Sequence, residues 1–148
     1  MSHSFCLVSA AYLFSRKSKR ILLLQRGPNK NYRASVWSGV GGKIEWGEMA
    51  LQCAVREISE ETGIHVRPKE LKFLGYSEIL NEGMHALVLC FGAQVEEQPV
   101  RLTPEHTAFD WFDLDDLPKN RTREDFRALR ERFFSHSRAR QRGASEEH

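Results

Sequence analysis

The feature that most limits the fold and chemistry of this chain is a group of three glutamates, spaced as on one helix, that follows a pair of glycines. Gly41 and Gly42 precede a helix-favouring run in which Glu57, Glu60 and Glu61 are spaced i, i+3 and i+4. At about 100° per residue the three carboxylates fall on one helix face. A neighbouring arc is apolar and consists of Leu51, Ala54, Val55 and Ile58. The helix can therefore pack against a core while holding its acids at a cleft.

The acidic face has two interpretations. Like charges at this spacing repel one another, so the face is either simply solvated or neutralised by a bound cation. Mg²⁺ binds oxygen ligands, commonly a few carboxylates together with the phosphates of a substrate. The Gly41–Gly42 turn in front of the helix can add a backbone carbonyl. We therefore expect metal-phosphate chemistry at this helix.

The same stretch resembles a complete Nudix box, G-x5-E-x7-R-E-U-x-E-E-x-G-U, in which U is a bulky aliphatic residue. The matching positions are Gly42, Glu48, Arg56, Glu57, Ile58, Glu60, Glu61, Gly63 and Ile64. The wider phrase G-G-K-I-E-W-G-E is similar to that of the MutT-type nucleoside triphosphate pyrophosphohydrolases. The resemblance implies an α/β/α sandwich with a central mixed β-sheet.

The resemblance also implies a metal site. Its expected cation is Mg²⁺, for which Mn²⁺ is a possible substitute. The implied ligands are Glu57 and Glu61, Glu60 directly or through water, and the Gly42 carbonyl.

Three further box residues have supporting roles. Arg56 is implied to orient the neighbouring carboxylates through a salt bridge, and misaimed ligands weaken a metal site. Glu48 is implied to support the junction between loop and helix. Gly63 is expected to end the helix as its C-cap.

Three residues are candidates for the base that removes a proton from the attacking water. Glu57 is ligand and base at once in part of the resembled family, whereas other members use an acid from a distant loop. The segment Pro104–Thr107 precedes the last predicted strand and contains Glu105 and His106. We favour Glu105, and His106 has an ordinary pKa near the working range.

Three residues are candidates for substrate contacts. Arg26 ends a predicted buried strand, where a guanidinium can grip phosphate by paired hydrogen bonds. Lys43 adjoins the box loop, and the resemblance implies that it contacts phosphates. Asn120 resembles the asparagine that reads an oxidised purine in MutT-type enzymes, with its spacing shifted by one residue. Aromatic residues that could border a base pocket are Trp37, Trp46, Tyr76 and Phe109.

The remaining patterns predict six strands and a second helix. The strands are expected near 5–14, 20–25, 37–42, 71–80, 84–95 and 108–112, with hairpins joining the first two and the fourth to the fifth. The C-terminal helix is expected to be capped by Thr122 and to bury Phe126, Leu129 and Phe133. We predict one domain over residues 1–135 and a polar tail over 136–148.

Composition limits the class of protein. The chain has 148 residues, 41% of them hydrophobic, which predicts one domain with a sizeable core. It contains no apolar run near the length of a membrane span, and Met1–Ser4 lacks the features of a secretory signal. Cys6, Cys53 and Cys90 are widely spaced, as expected for reduced thiols of a cytoplasmic protein.

Charge does not favour a polymeric partner. The formal net charge is +2, and the basic residues cluster at Arg16–Arg20 and Arg121–Arg142, where solvated basic segments are commoner than nucleic-acid sites. We expect a small nucleotide as the partner, neither nucleic acid nor a membrane. The oligomeric state stays open, a homodimer included.

The function expected from the resemblance is hydrolysis of a diphosphate linkage by metal-activated water. The favoured substrate is a nucleoside triphosphate, unmodified or oxidised, cut to monophosphate and pyrophosphate. One alternative is a nucleoside diphosphate derivative such as a sugar nucleotide. Another, a non-catalytic module that binds nucleotides or RNA ends, is disfavoured because every box carboxylate is present.

Overall fold

Two helices enclose a mixed seven-stranded sheet in the computed structural model, which describes residues 4–28 and 35–135. The strands are β1 Ser4–Ser15, β2 Arg20–Arg26, β3 Trp37–Ser38, β4 Val40–Lys43, β5 Lys72–Asn81, β6 Met84–Val95 and β7 His106–Asp113. Helix α1 is Ala50–Thr62, a short 3₁₀ turn covers Pro68–Glu70, and the described part of α2 is 126–135. The expected α/β/α sandwich is confirmed.

The sheet is organised around β1. The strand order is β3-β2-β1-β6-β5, with β4 paired to β1 and β7 paired to β2. The β1–β6 pair is parallel, and the other pairs are antiparallel. Along one edge of β1, residues 8–11 pair with β4 and Phe14 then pairs with Ile21 of β2. This division places Gly41 and Gly42 inside β4, where they pair with Ala10 and Ser9 near the middle of the sheet, so the expected Gly41–Gly42 turn is wrong.

Most predicted strands are confirmed with small differences at their ends. The two predicted hairpins form, and Gly83 in the β5–β6 turn has a φ of 80° that suits glycine. The expected single strand over 37–42 is wrong, because Gly39 separates β3 from β4 and the two pair with different partners. Residues 29–34 of the predicted loop and the predicted tail lie outside the described residues.

Each face of the sheet carries its own apolar core, because alternate strand residues point to opposite faces. The cluster beneath α1 includes Leu13, Leu22, Leu24, Ala54 and Ile58. The cluster beneath α2 includes Phe14, Leu23, Phe126, Leu129 and Phe133. The predicted apolar sides of both helices are thus confirmed.

The sequence predicts the end of α1 correctly and the start of α2 incorrectly. Gly63 closes α1 in the left-handed region with a φ of 76°, and its N–H donates to the Ser59 carbonyl, as predicted. The predicted cap of α2 is wrong. Asp125 rather than Thr122 caps α2, because the Asp125 carboxylate accepts a hydrogen bond from the Ala128 N–H at 3.0 Å. The Thr122 N–H donates instead to the Trp37 carbonyl at 2.9 Å, which holds this residue against β3.

No helix within the described ranges is long and apolar enough to cross a membrane.

The end of α1 gives a test of the fold. We expect Gly63→Ala to reduce the free energy of unfolding by about 1–2 kcal/mol, because alanine strains the left-handed backbone that Gly63 adopts. The added methyl group meets only an ordinary contact with Arg101, at 3.5 Å, so the loss is a backbone effect. Urea unfolding measures it. Gly27→Ala is the control, since that backbone is not left-handed and its nearest contact is 3.6 Å away. Equal stability of the two variants would contradict this account.

Candidate active site

Arg56 lies at the centre of the box and binds three of its acids. Its Nε donates to Glu48 Oε2 at 2.7 Å and its Nη2 to Glu48 Oε1 at 3.0 Å, which is a two-bond fork. Its Nη1 donates to Glu57 Oε1 at 2.8 Å and to Glu60 Oε2 at 3.2 Å. Nη2 also reaches the Lys43 carbonyl at 3.3 Å. One guanidinium therefore fixes the positions of the helix acids relative to the loop before the helix.

This network keeps Glu48 and Arg56 charged. Hydrogen bonds from Arg56, and then from the Glu45 N–H, lower the pKa of Glu48 to about 2. The Glu48 hydrogen bond in turn raises the pKa of the Arg56 guanidinium. Glu48 therefore supports the junction between loop and helix as a carboxylate, bonded to both Arg56 and the Glu45 backbone.

Glycine is required at position 42 because of the close approach of Glu57. A Cβ at residue 42 would lie 2.5 Å from Oε1 and from the carboxyl carbon of Glu57. A Cβ at residue 41 would lie 2.7 Å from the Ser9 carbonyl oxygen. The paired strands β1 and β4 thus form a floor on which the Glu57 carboxylate rests. The Gly42 carbonyl faces α1, where Cys53 Sγ lies 3.7 Å away.

Glu61 is a buried acid beside a second acid. Its Oε1 accepts a hydrogen bond from the Gly41 N–H at 3.3 Å, and its Oε2 lies 3.5 Å from His106 Nε2. Burial, followed by the hydrogen bond and negative charge of Glu57, raises the pKa of Glu61 from an ordinary 4.5 to about 9. Without a cation, the folded protein holds a proton at this carboxyl pair at neutral pH.

The carboxyl pair fits a hard divalent cation. Within the part of the chain that the structure describes, no three His, Cys, Asp or Glu side chains are gathered into a ready-made metal cluster. Mg²⁺, however, is commonly held by one or two carboxylates together with substrate phosphates. Glu57 and Glu61 offer two carboxylates whose mutual repulsion a cation relieves. Glu60 is less enclosed, with 57% of its side chain exposed.

The loop before β7 reaches the same site. The Glu105 carbonyl accepts a hydrogen bond from the Gly27 N–H at 2.9 Å, and His106 pairs with Arg26 in the sheet. The charge of Glu105 is among the causes that raise the pKa of Glu61. Arg26, Glu105 and His106 therefore lie at the edge of the carboxyl pair. His106 is buried against Glu61, a contact that sequence spacing does not reveal because the two residues belong to distant elements.

A cavity of about 580 Å³ lies on the opposite face of the sheet, between β5 and residues 121–124. Asn120 precedes this segment, and its amide donates to the Ser35 carbonyl at 2.8 Å. Residues that line the cavity are Val36, Ser77, Glu78, Ile79, Leu80, Asn81, Arg121, Thr122, Arg123 and Glu124.

The other proposed substrate residues occupy different surroundings. Lys43 is exposed at the end of β4, next to Gly42. Trp37 packs edge-on against Phe112 at 4.9 Å between ring centres, and Phe109 packs against the core beneath α1. Tyr76 and Trp46 are exposed. None of these four aromatic candidates lines the cavity.

A mixed sheet between two helices, with Glu57 and Glu61 of α1 above the glycines of β4 and Arg56 bonded to Glu57, defines the class to which the molecule belongs. The chain belongs to the NUDIX family, whose domain matches residues 7–133.

Individual relatives agree with this membership. The chain is 30% identical over 123 residues to the m7GpppN-mRNA hydrolase NUDT17 of Xenopus laevis, covering 73% of this chain and 42% of that protein. It is 29% identical over 116 residues to the dihydroneopterin triphosphate diphosphatase of Escherichia coli K12, covering 68% and 73%. The crystal structure of a MutT NUDIX hydrolase from Burkholderia pseudomallei superposes with a TM-score of 0.74 at 29% identity, covering 86% and 98%. The chain spans less than half the length of several curated relatives that it matches.

The pKa of Glu61 predicts an unusual pH dependence of stability. Without metal, the folded chain keeps a proton that the unfolded chain releases above about pH 4.5, so stability falls as pH rises from 4.5 towards 9. We expect Glu61→Gln to remove this fall, which approaches about 1.4 kcal/mol per pH unit at full slope. Gln keeps an acceptor for the Gly41 N–H but cannot ionise. Thermal unfolding in EDTA from pH 5 to 9 measures the difference.

The measured slope also depends on Glu57, Glu105 and His106, whose charges or contacts act on Glu61. Glu131→Gln on the exposed side of α2 is the matched control and should keep the wild-type slope. If the stability of Glu61→Gln still fell with rising pH as in the wild type, the buried acid at position 61 would not be its cause.

Proposed function

We propose that this chain is a Mg²⁺-dependent pyrophosphohydrolase of nucleotides, which cuts a nucleoside triphosphate, unmodified or oxidised, into monophosphate and pyrophosphate. One observation carries the proposal: Glu61 is buried against Glu57 above a glycine that has no room for a side chain. Such an acid pair is costly unless a cation compensates it. The acid pair and the hydrolase activities named for two relatives together support the proposal.

The residues of the chain have distinct tasks in this proposal. Glu57 and Glu61 hold the cation, with Glu60 and the Gly42 carbonyl as further ligands. Arg56 aims Glu57 through its 2.8 Å hydrogen bond, and Glu48 holds Arg56 in turn. When bound, Mg²⁺ supplies charge neutralisation for the phosphates and lowers the pKa of water.

The substrate lies across the edge of the sheet. Lys43 beside the loop and Arg26 beside His106 supply positive charge for the phosphates. The base occupies the cavity between β5 and residues 121–124. Asn120, which precedes the segment 121–124, lies next to the base in this proposal.

Glu105 is our choice for the base that takes the proton from the attacking water. It lies on a loop tied to Gly27, and its charge acts on the Glu61 carboxyl. Glu57 and His106 are the alternatives, since each also lies at the pair. General-base assistance contributes roughly 10²–10⁴-fold to such reactions.

A second candidate substrate is a nucleoside diphosphate derivative, such as a sugar nucleotide or a capped RNA end. The name of one relative favours it, because that relative is an m7GpppN-mRNA hydrolase. Product analysis with Mg²⁺ separates the candidates. Release of pyrophosphate with a nucleoside monophosphate identifies a triphosphate, whereas release of a nucleotide with a sugar phosphate, and no pyrophosphate, identifies a sugar nucleotide.

We also propose a cytoplasmic location. Cys6, Cys53 and Cys90 are free thiols, and reducing compartments preserve such residues.

Replacing Glu57 tests the proposed ligand. We expect Glu57→Gln to lower kcat by roughly 10³-fold or more, since several kcal/mol of charge stabilisation depend on the bound cation. Steady-state release of pyrophosphate measures it, and circular dichroism checks that the fold is kept. Glu131→Gln should turn over like the wild type. Near-normal turnover of Glu57→Gln would exclude this residue as a metal ligand.

Replacing Glu105 tests the proposed base. We expect Glu105→Gln to reduce kcat by at least about 10²-fold and to remove the acidic limb of the pH–rate profile, because the amide cannot accept the proton. The measurement is kcat from pH 5 to 9, with His106→Asn examined in parallel. A loss below threefold for Glu105→Gln would move the role to Glu57 or His106.

A further inference from the structure

The two buried acids of the site are held in different ways. Glu57 accepts a hydrogen bond from the Arg56 guanidinium at 2.8 Å. Among the described residues Glu61 has no arginine or lysine partner, and its ion-pair contact is with His106, whose Nε2 lies 3.5 Å from Glu61 Oε2. The other oxygen, Oε1, accepts a hydrogen bond from the Gly41 N–H at 3.3 Å. His106 therefore occupies beside Glu61 the place that Arg56 occupies beside Glu57.

The contact between His106 and Glu61 is closed to solvent. Only 4% of the His106 side chain and 8% of the Glu61 side chain are exposed. A buried carboxylate needs hydrogen-bond donors from the protein, because water does not reach it. A carboxylate that binds a cation is ionised and can only accept hydrogen bonds. The hydrogen between these two side chains is then carried by His106 Nε2.

The sheet fixes the backbone of His106. This residue begins β7, and its N–H donates to the Thr103 carbonyl at 3.1 Å. Across the sheet it pairs with Arg26 of β2, at a shift of register between Gln25 and Arg26. Irregularities of this kind re-aim a side chain and are frequent beside active sites. The imidazole therefore reaches Glu61 from a position that the strand pairing sets.

We propose that His106 is a positioning residue, which donates a hydrogen bond from Nε2 to Glu61 and so holds that carboxylate in the orientation that binds the cation. Such partners of metal ligands typically contribute roughly 10–100-fold to metal affinity. The inference deepens the proposed function and rests on it. It also gives His106 a task other than that of the base, because a base has to reach the attacking water and Nε2 is turned towards Glu61.

Two amide substitutions test the donor. In His106→Gln the amide nitrogen can take the place of Nε2, whereas in His106→Asn it is one methylene short of Glu61. Both amides donate hydrogen bonds and neither acts as a base. Titration calorimetry with Mn²⁺ should give His106→Gln an affinity within about threefold of the wild type, and His106→Asn an affinity lower by roughly 10–100-fold. Equal affinities of the wild type and a folded His106→Asn would overturn the inference.

A second histidine offers a matched control. His85 also pairs with a glutamate, since its Nε2 lies 2.8 Å from Glu78 Oε2, but this pair is on the β5–β6 hairpin and 41% of the His85 side chain is exposed. His85→Asn should bind Mn²⁺ as the wild type does.

Turnover separates positioning from base catalysis. At saturating Mg²⁺ both His106 variants should keep kcat within about tenfold of the wild type, and His106→Asn should need more Mg²⁺ for half-maximal activity. Loss of a general base instead costs roughly 10²–10⁴-fold at every metal concentration. A loss on that scale in both variants at saturating Mg²⁺ would overturn the inference and make His106 the base.

A crystal structure of the unmodified protein with Mn²⁺ tests the contact even if a variant fails to fold. His106 Nε2 should lie within about 3.2 Å of a Glu61 oxygen. An imidazole turned away from Glu61 would overturn the inference. If Mn²⁺ bound the wild type and both variants equally, only this inference would fall. A wild type that bound no Mn²⁺ would overturn the proposed function as well.

Discussion

The forked hydrogen bonding of Arg56 to Glu48 is the interaction on which the site depends. A planar guanidinium can bond both oxygens of Glu48 and still direct Nη1 towards Glu57. The same group reaches the Lys43 carbonyl, so the helix and the preceding loop are joined at one point. Lysine could not reproduce these bonds, because its ammonium is a compact charge without the fork. The positions of the acids are therefore set before any ligand arrives.

The sheet provides the second constraint. β4 pairs with β1 through Gly41 and Gly42, and the close packing of these glycines lets α1 lie directly over the strands. Glu57 then rests on Gly42 and Glu61 reaches the Gly41 N–H. Burial makes the second acid difficult to ionise, and that difficulty is the energetic reason to expect a cation. Burial of this acid destabilises its ionised form, and such local costs are common at functional sites.

The sequence predicts what is local and misses what depends on packing. The acids of α1, its end at Gly63 and its buried stripe follow from spacing within one helix, and the β5–β6 hairpin follows from its turn. The break at Gly39 cannot be predicted from residue propensities, because it arises from β3 pairing with β2 while β4 pairs with β1. Asp125 replaces Thr122 as a cap since Thr122 is held by Trp37.

The same limit applies to the site. His106 meets Glu61 only because β7 pairs with β2, and no motif within the chain encodes that contact. The cavity is assembled from β5 and the segment before α2, which are far apart in sequence. The resemblance in the box supplied the roles of its residues, and these roles remain predictions.

The most direct test is a crystal structure of the protein grown with Mn²⁺, with anomalous scattering used to locate the ion. The account predicts an anomalous peak about 2–2.6 Å from carboxylate oxygens of both Glu57 and Glu61. Ordered acids at these positions with no peak between them, at saturating Mn²⁺, would contradict it.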